Sequence, residues 1–222
     1  MSNIFSLRPR VRRDTVALYH DYLCPWCWVG FLQAEELERE FGLQFEWIGA
    51  ELFPPDLEGP PSNPGPQPPR DPARAKDRFD RFCDEESVDF PEPRPGFVRT
   101  HAAMLGAEHA RAIDPALERA WHAAVYKAYW LDCADIEDIA VLRAIGESVG
   151  LDPDALEESI RAERHADAIL PFDDPAYASG IRNVPTFVFG ANEQLAEANL
   201  DDLRRATERF LIRRERLRPE TL

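Results

Sequence analysis

The order of apolar patterns along the chain predicts an α/β fold whose sheet is split by helices: β-α-β, then a helical block, then β-β-α. Three observations carry this. Two strand-like runs flank one helical pattern before residue 53. A proline-dense stretch then gives way to mostly helical sequence over residues 73–179. Strand character returns at Val184-Pro185-Thr186-Phe187-Val188-Phe189, ahead of a last helix.

Residues 1–14 form a polar arm. The first strand spans about Thr15 to Asp21, within a run of strand formers. Trp28, Val29, Phe31, Leu32, Leu37 and Phe41 then recur at helical spacing until Gly42, a natural residue just past a helix end. Leu43 to Ile48 alternates as a second strand, parallel to the first through a right-handed crossover. From Pro54 to Pro72, nine of nineteen residues are proline, so this is a long loop: a lid or substrate surface, or a linker.

Beyond it the spacing predicts helices over Ala73–Glu86 and Gly96–Ile113. A third starts at Asp114-Pro115, a fourth is capped by Asp135, a fifth starts at Asp152-Pro153, and a short sixth lies at Ala176–Ser179. Gln194 to Glu197 forms a short partner strand, and the last helix runs from about Leu200 to Arg216.

The chain has 222 residues, ample for a core, with 44% hydrophobic and 30% charged residues. Asp and Glu number 41 against 26 Lys and Arg, a net charge of −15 that argues against nucleic acid as partner. The arginines at Arg8 to Arg13 and Arg204 to Arg218 are expected to be a solvated arm and a solvated helix face. No apolar run reaches membrane-spanning length, so no membrane is expected. Met1 to Asp14 lacks the apolar middle of a secretory signal, so the expected compartment is cytoplasmic, where a C-x-x-C serves catalysis or metal binding more often than structure.

That pair is Cys24-Pro25-Trp26-Cys27, placed where the first strand hands over to the first helix. Residues three apart on a helix share a face, so the sulfurs are close enough to exchange a disulfide. The helix N-terminus favours a thiolate at Cys24, and Pro25 suits the first helical position. Cys27, one turn on, is placed to resolve a mixed disulfide. The alternatives are half of a zinc site and a pair of inert core thiols. Cys83 and Cys133 are far apart in helix-like segments, and nothing in the spacing of His109 or His122 completes a zinc set. Each of these two cysteines is expected to be a small buried residue, with a second redox pair between them as the alternative. His20 and Asp21, near Cys24, either tune the thiols or merely belong to the strand end. Pro185 opens a core strand, which points to a cis bond or tight turn that offers backbone groups to a substrate, or to an ordinary strand-opening proline.

The chain resembles the thioredoxin-like superfamily, and more closely the DsbA family in its cytoplasmic FrnE-like branch. The resemblance rests on Asp21-Tyr22-Leu23-Cys24-Pro25-Trp26-Cys27-Trp28-Val29-Gly30, on Trp47-Ile48-Gly49-Ala50-Glu51-Leu52-Phe53-Pro54, and on Gly180-Ile181-Arg182-Asn183-Val184-Pro185-Thr186-Phe187-Val188. It implies a thioredoxin-like fold with a large all-helical insertion: residues 1–53 and 180–222 form the split thioredoxin-like domain, 54–72 the Pro-rich loop and 73–179 the insertion. It further implies that Cys24 attacks, that Cys27 resolves, and that Pro185 is a cis-proline facing them. Asn183 departs from the glycine usual before Val-Pro, and asparagine tolerates left-handed backbone.

The expected function is thiol–disulfide exchange, with Cys24 and Cys27 catalytic and Pro25, Trp26, Val184 and Pro185 binding substrate. No metal or organic cofactor is required, although glutathione is a possible co-substrate. The expected partner is a thiol- or disulfide-containing protein or small molecule, with the chain a monomer or homodimer. Two other readings are a glutathione-dependent isomerase or transferase, like the 2-hydroxychromene-2-carboxylate isomerases or kappa-class enzymes, and a non-enzymatic redox-sensing interaction module. The isomerases and transferases typically have serine where Cys24 stands.

Overall fold

The computed structural model describes residues 15–71, 73–171, 180–190 and 193–216. In chain order the elements are β1 (Val16–His20), α1 (Pro25–Phe41), β2 (Phe45–Glu51), α2 (Arg78–Glu86), α3 (His101–Ile113), α4 (Pro115–Trp130), α5 (Ile139–Ser148), α6 (Pro153–Arg161), β3 (Leu170–Pro171), β4 (Thr186–Phe189), β5 (Glu193–Ala196) and α7 (Leu200–Arg216). Five strands form one mixed sheet in the order β3-β2-β1-β4-β5. β1 is the centre, parallel to β2 and antiparallel to β4, so Leu18 lies between Trp47 and Phe187. Every residue of β1 is buried, which explains its unbroken run of strand formers. This is the thioredoxin-like arrangement the sequence predicts.

The polar arm, the short helix expected at 176–179 and residues beyond Arg216 lie outside the described residues. Among the described residues, no helix is long and apolar enough to cross a membrane.

Local chemistry explains most helix starts. Asp114 and Asp152 accept backbone N–H groups at the first turns of α4 and α6, each with proline at the first helical position. Three helix starts differ from expectation, and the second strand runs from Phe45 to Glu51 rather than from Leu43 to Ile48. α2 begins at Arg78 rather than Ala73, because Asp77 and Asp80 form a reciprocal capping box there. α3 begins at His101 rather than Gly96, because Gly96 N–H bonds the Gly65 carbonyl at 2.8 Å. α5 is capped by Asp138, while Asp135 accepts the Glu137 N–H in the preceding turn. The sequence also gave no sign of β3, whose two residues pair with Ala50 and Glu51.

The Pro-rich stretch is strapped to the segment before α3. Asn63 N–H bonds the Phe97 carbonyl and Gln67 N–H the Arg94 carbonyl, both at 2.8 Å. The Arg99 guanidinium gathers the carbonyls of Phe53, Pro54 and Leu57. A Cβ on Gly96 would sit 1.8 Å from the Asn63 carbonyl oxygen, so only glycine permits this approach. The strap leads directly into α2, and α2 reaches the site.

Candidate active site

The C-terminal ends of β1 and β2 and the N-terminus of α1 meet at one edge of the sheet. Cys24 occupies the cap position of α1 with extended backbone (φ −77°, ψ 120°), and its side chain caps nothing. Its carbonyl instead accepts the N–H groups of Cys27 and Trp28, at 2.9 and 3.2 Å. The Cys24 thiol is left free of the cap at the positive end of the helix. It donates to the Val184 carbonyl at 3.4 Å. Cys24 is 6% exposed and Cys27 1%, and neither is in a disulfide.

Cys27 sits one turn deeper, with its sulfur accepting the Asp21 N–H at 3.5 Å. Burial, and then a hydrogen bond in which the Cys27 thiol donates to neighbouring Cys24, push the Cys27 thiol well above its ordinary range. The pair is therefore asymmetric: an outer thiol at the helix end and an inner one held protonated.

The segment before β4 forms the opposite wall. The Val184–Pro185 peptide bond is cis, and both residues are buried. Gly30 of α1 makes room for it, since a Cβ there would lie 2.8 Å from the proline ring. The Pro185 carbonyl accepts the Glu197 N–H at 3.0 Å. Asn183 does not take the left-handed conformation that would replace a glycine. That conformation falls at Glu197 (φ 48°), and the Asn183 amide bonds the Glu197 carboxylate at 3.2 Å.

Pro25 and Trp26 are half-buried. The Trp26 ring packs against Phe79 and Phe82 of α2 at 5.1 and 4.8 Å between centroids. The Arg78 guanidinium lies 4.6 Å from the Trp26 ring centre and pairs with Glu197 at 2.6 Å. Sequence reasoning missed Arg78, Phe79, Phe82 and Glu197. The i, i+3 aromatic pair on α2 was the one local hint.

Asp21 is wholly buried. Its carboxylate accepts the Thr100 hydroxyl at 2.8 Å and the N–H groups of Leu23 and Leu52 at 3.1 and 2.8 Å. Burial nevertheless pushes it up to about 6, against the lowering effect of those donors. It thus holds together the end of β1, the exit from β2 and the start of α3.

His20 is also buried, with Nδ1 3.0 Å from the Tyr126 hydroxyl; burial, then His122, lower its affinity for a proton. It is a packed neutral histidine. Cys83 lies buried on α2, and burial raises its thiol to about 11. Cys133 is not in a helix but in the turn after α4, at φ 50°, with its thiol on the Pro93 carbonyl at 3.4 Å. Among the described residues, no group of three His, Cys, Asp or Glu could hold a metal ion.

Comparison with known proteins bears on the fold. "Uncharacterized protein YwbO" of Bacillus subtilis (strain 168) is 27% identical over 183 residues, covering 79% of this chain and 86% of that one. The cytosolic disulfide reductase DsbM from Pseudomonas aeruginosa, solved with GSH, has a similar fold (TM-score 0.61, 20% identity, 89% of this chain and 99% of that one). So do a 2-hydroxychromene-2-carboxylate isomerase (0.64, 16%, 92% and 100%) and a probable DsbA oxidoreductase from Streptomyces coelicolor (0.64, 17%, 94% and 93%). At these identities the likeness concerns the fold. The DSBA-like thioredoxin domain model matches residues 15–208, nearly the whole chain. The chain belongs to the DSBA-like thioredoxin domain family.

Proposed function

We propose that this protein is a thiol–disulfide oxidoreductase working through Cys24 and Cys27. The observation that carries the proposal is the asymmetry of the pair: Cys24 at the positive helix end against Val184, Cys27 buried with a raised thiol. The Cys24 thiolate attacks a substrate disulfide R–S–S–R′, forms Cys24–S–S–R and releases R′S⁻, which takes a proton. Cys27 then gives up its proton and attacks the Cys24 sulfur. The Cys24–Cys27 disulfide forms and RS⁻ leaves, so the substrate gains the two electrons that the dithiol loses. Two equivalents of a small thiol, oxidised to its disulfide, return the pair to the dithiol; written backwards, the same steps oxidise a dithiol substrate. Glutathione is a suitable resetting thiol, a choice supported by the fold likeness to DsbM with GSH. Pro25, Trp26, Val184 and Pro185 line the approach to Cys24 and position the substrate, and the protein works in the cytoplasm with no bound cofactor.

The test is glutathione-coupled reduction of a small disulfide by wild type, Cys24→Ser and Cys27→Ser. Loss of turnover in Cys24→Ser together with a collapse in Cys27→Ser is the expected result. Retained turnover in Cys27→Ser, with isomerisation of a glutathione-activated substrate, would instead select the isomerase chemistry of the 2-hydroxychromene-2-carboxylate isomerase fold.

A further inference from the structure

The contacts around Cys24 close into a ring. The Cys24 thiol bonds the Val184 carbonyl; the next carbonyl, Pro185, accepts the Glu197 N–H; the Glu197 carboxylate pairs with Arg78; and Arg78 covers the Trp26 ring, two residues from Cys24. One member of this ring comes from α2, outside the sheet and its flanking helices. The far end of α2 is fixed as well. The Glu86 carboxylate accepts the Leu200 N–H at 2.9 Å and the Gln33 amide at 2.7 Å. α2 is thus tied at both ends, with Phe79 and Phe82 against Trp26 between the ties, and the nucleophile inside the ring is only 6% exposed.

We propose that Arg78 is a specificity-determining, positioning residue: by joining Trp26 to Glu197 it closes one side of the groove over Cys24 and confines exchange to small disulfides rather than those of folded polypeptides. The physical reason is width. A polypeptide disulfide brings backbone on both sides of each sulfur and needs the groove open along its length. A low-molecular-weight disulfide such as oxidised glutathione carries only a single residue to each side of its cysteines, so it needs only a short opening beside Val184. Arg78 touches neither the reacting sulfurs nor Cys24, so its effect falls on which substrate enters. The Arg78 side chain is 69% exposed while that of Glu197 is 12% exposed, so the tie is made at the surface, where its loss leaves the core intact.

This inference rests on the exchange reading above, and the test separates the two. Steady-state kcat/KM is measured for oxidised glutathione and for insulin, each with dithiothreitol as the reductant that resets the pair and the uncatalysed rate subtracted, with wild type, Arg78→Ala and Arg78→Lys. Wild type is expected to favour oxidised glutathione. Arg78→Ala should shift the insulin-to-glutathione ratio towards insulin by about fivefold, the magnitude of an exposed ion pair plus a cation–π contact, and Arg78→Lys should recover part of it. An unchanged ratio in Arg78→Ala, or equal use of both substrates by wild type, overturns the proposal. Turnover of neither substrate by wild type overturns the exchange reading itself. The groove is then read directly, from the alkylation of Cys24, followed by peptide mass mapping, with iodoacetamide and with a polyethylene-glycol-linked maleimide. Arg78→Ala should speed the bulky reagent relative to the small one; equal acceleration of both contradicts a closed wall.

Discussion

Gly30 and Pro185 approach more closely than any side chain at position 30 permits. A Cβ built on Gly30 would stand 2.8 and 2.9 Å from the proline ring carbons. The N-terminal half of α1 and the cis-proline segment are thereby held against each other, and the gap between Cys24 and Val184 is set by that contact. Gly30→Ala should force Pro185 outward at a cost of about 1–3 kcal/mol, the usual range for overpacking. Denaturant titration measures that cost. Disulfide turnover should fall with it, and wild-type turnover in this variant would mean that the Cys24–Val184 spacing does not limit the reaction.

Asp21 makes stability depend on pH in the direction opposite to an ordinary salt-bridged carboxylate. Burial raises it from 3.8 to about 6 in the folded chain, so between those values the folded state binds the extra proton. Stability contributed by Asp21 is therefore greatest near pH 4 and is lost as pH rises through about 6, by up to about 3 kcal/mol. Glu108 and Glu118, each pushed by burial up to about 7, add slopes of the same sign. Urea midpoints from pH 4 to 7.5 should show a shallower decline for Asp21→Asn than for wild type. Parallel curves would mean that Asp21 ionises normally.

Glu86 ties three parts of the chain: its own helix α2, Gln33 of α1 and the first N–H of α7. Glu86→Ala leaves the 4% exposed Gln33 amide with the Ala198 carbonyl alone and the Leu200 N–H without its acceptor. A lost helix cap and a weakened buried amide together predict a loss of about 1–2 kcal/mol. Thermal unfolding checks this. A change below about 0.5 kcal/mol would show that α2 is not anchored at this end.

The legible features were those written in local chemistry. Asp114-Pro115 and Asp152-Pro153 announce helix starts because the cap and the proline act within one turn. Cys24-Pro25-Trp26-Cys27 announces its site for the same reason. Asp135 misleads because an aspartate three residues before a cap serves a turn equally well: it accepts the Glu137 N–H, while Asp138 accepts the Ala140 N–H and starts α5. The hidden part of the site is long-range. Arg78 reaches Glu197, Thr100 reaches Asp21, and Glu86 reaches Leu200, and no periodicity links residues so far apart. Gly30 belongs to the Cys24 motif, yet its purpose is visible only with Pro185 against it.

The central claim is that Cys24 attacks and Cys27 resolves, and trapping the intermediate tests it most directly. Cys27→Ser is incubated with oxidised glutathione and mapped by peptide mass spectrometry under acid quench. The account predicts a glutathione mixed disulfide on Cys24 in Cys27→Ser, absent from wild type, where Cys27 expels it. No adduct on Cys24, or an adduct that persists equally with Cys27 present, would contradict it.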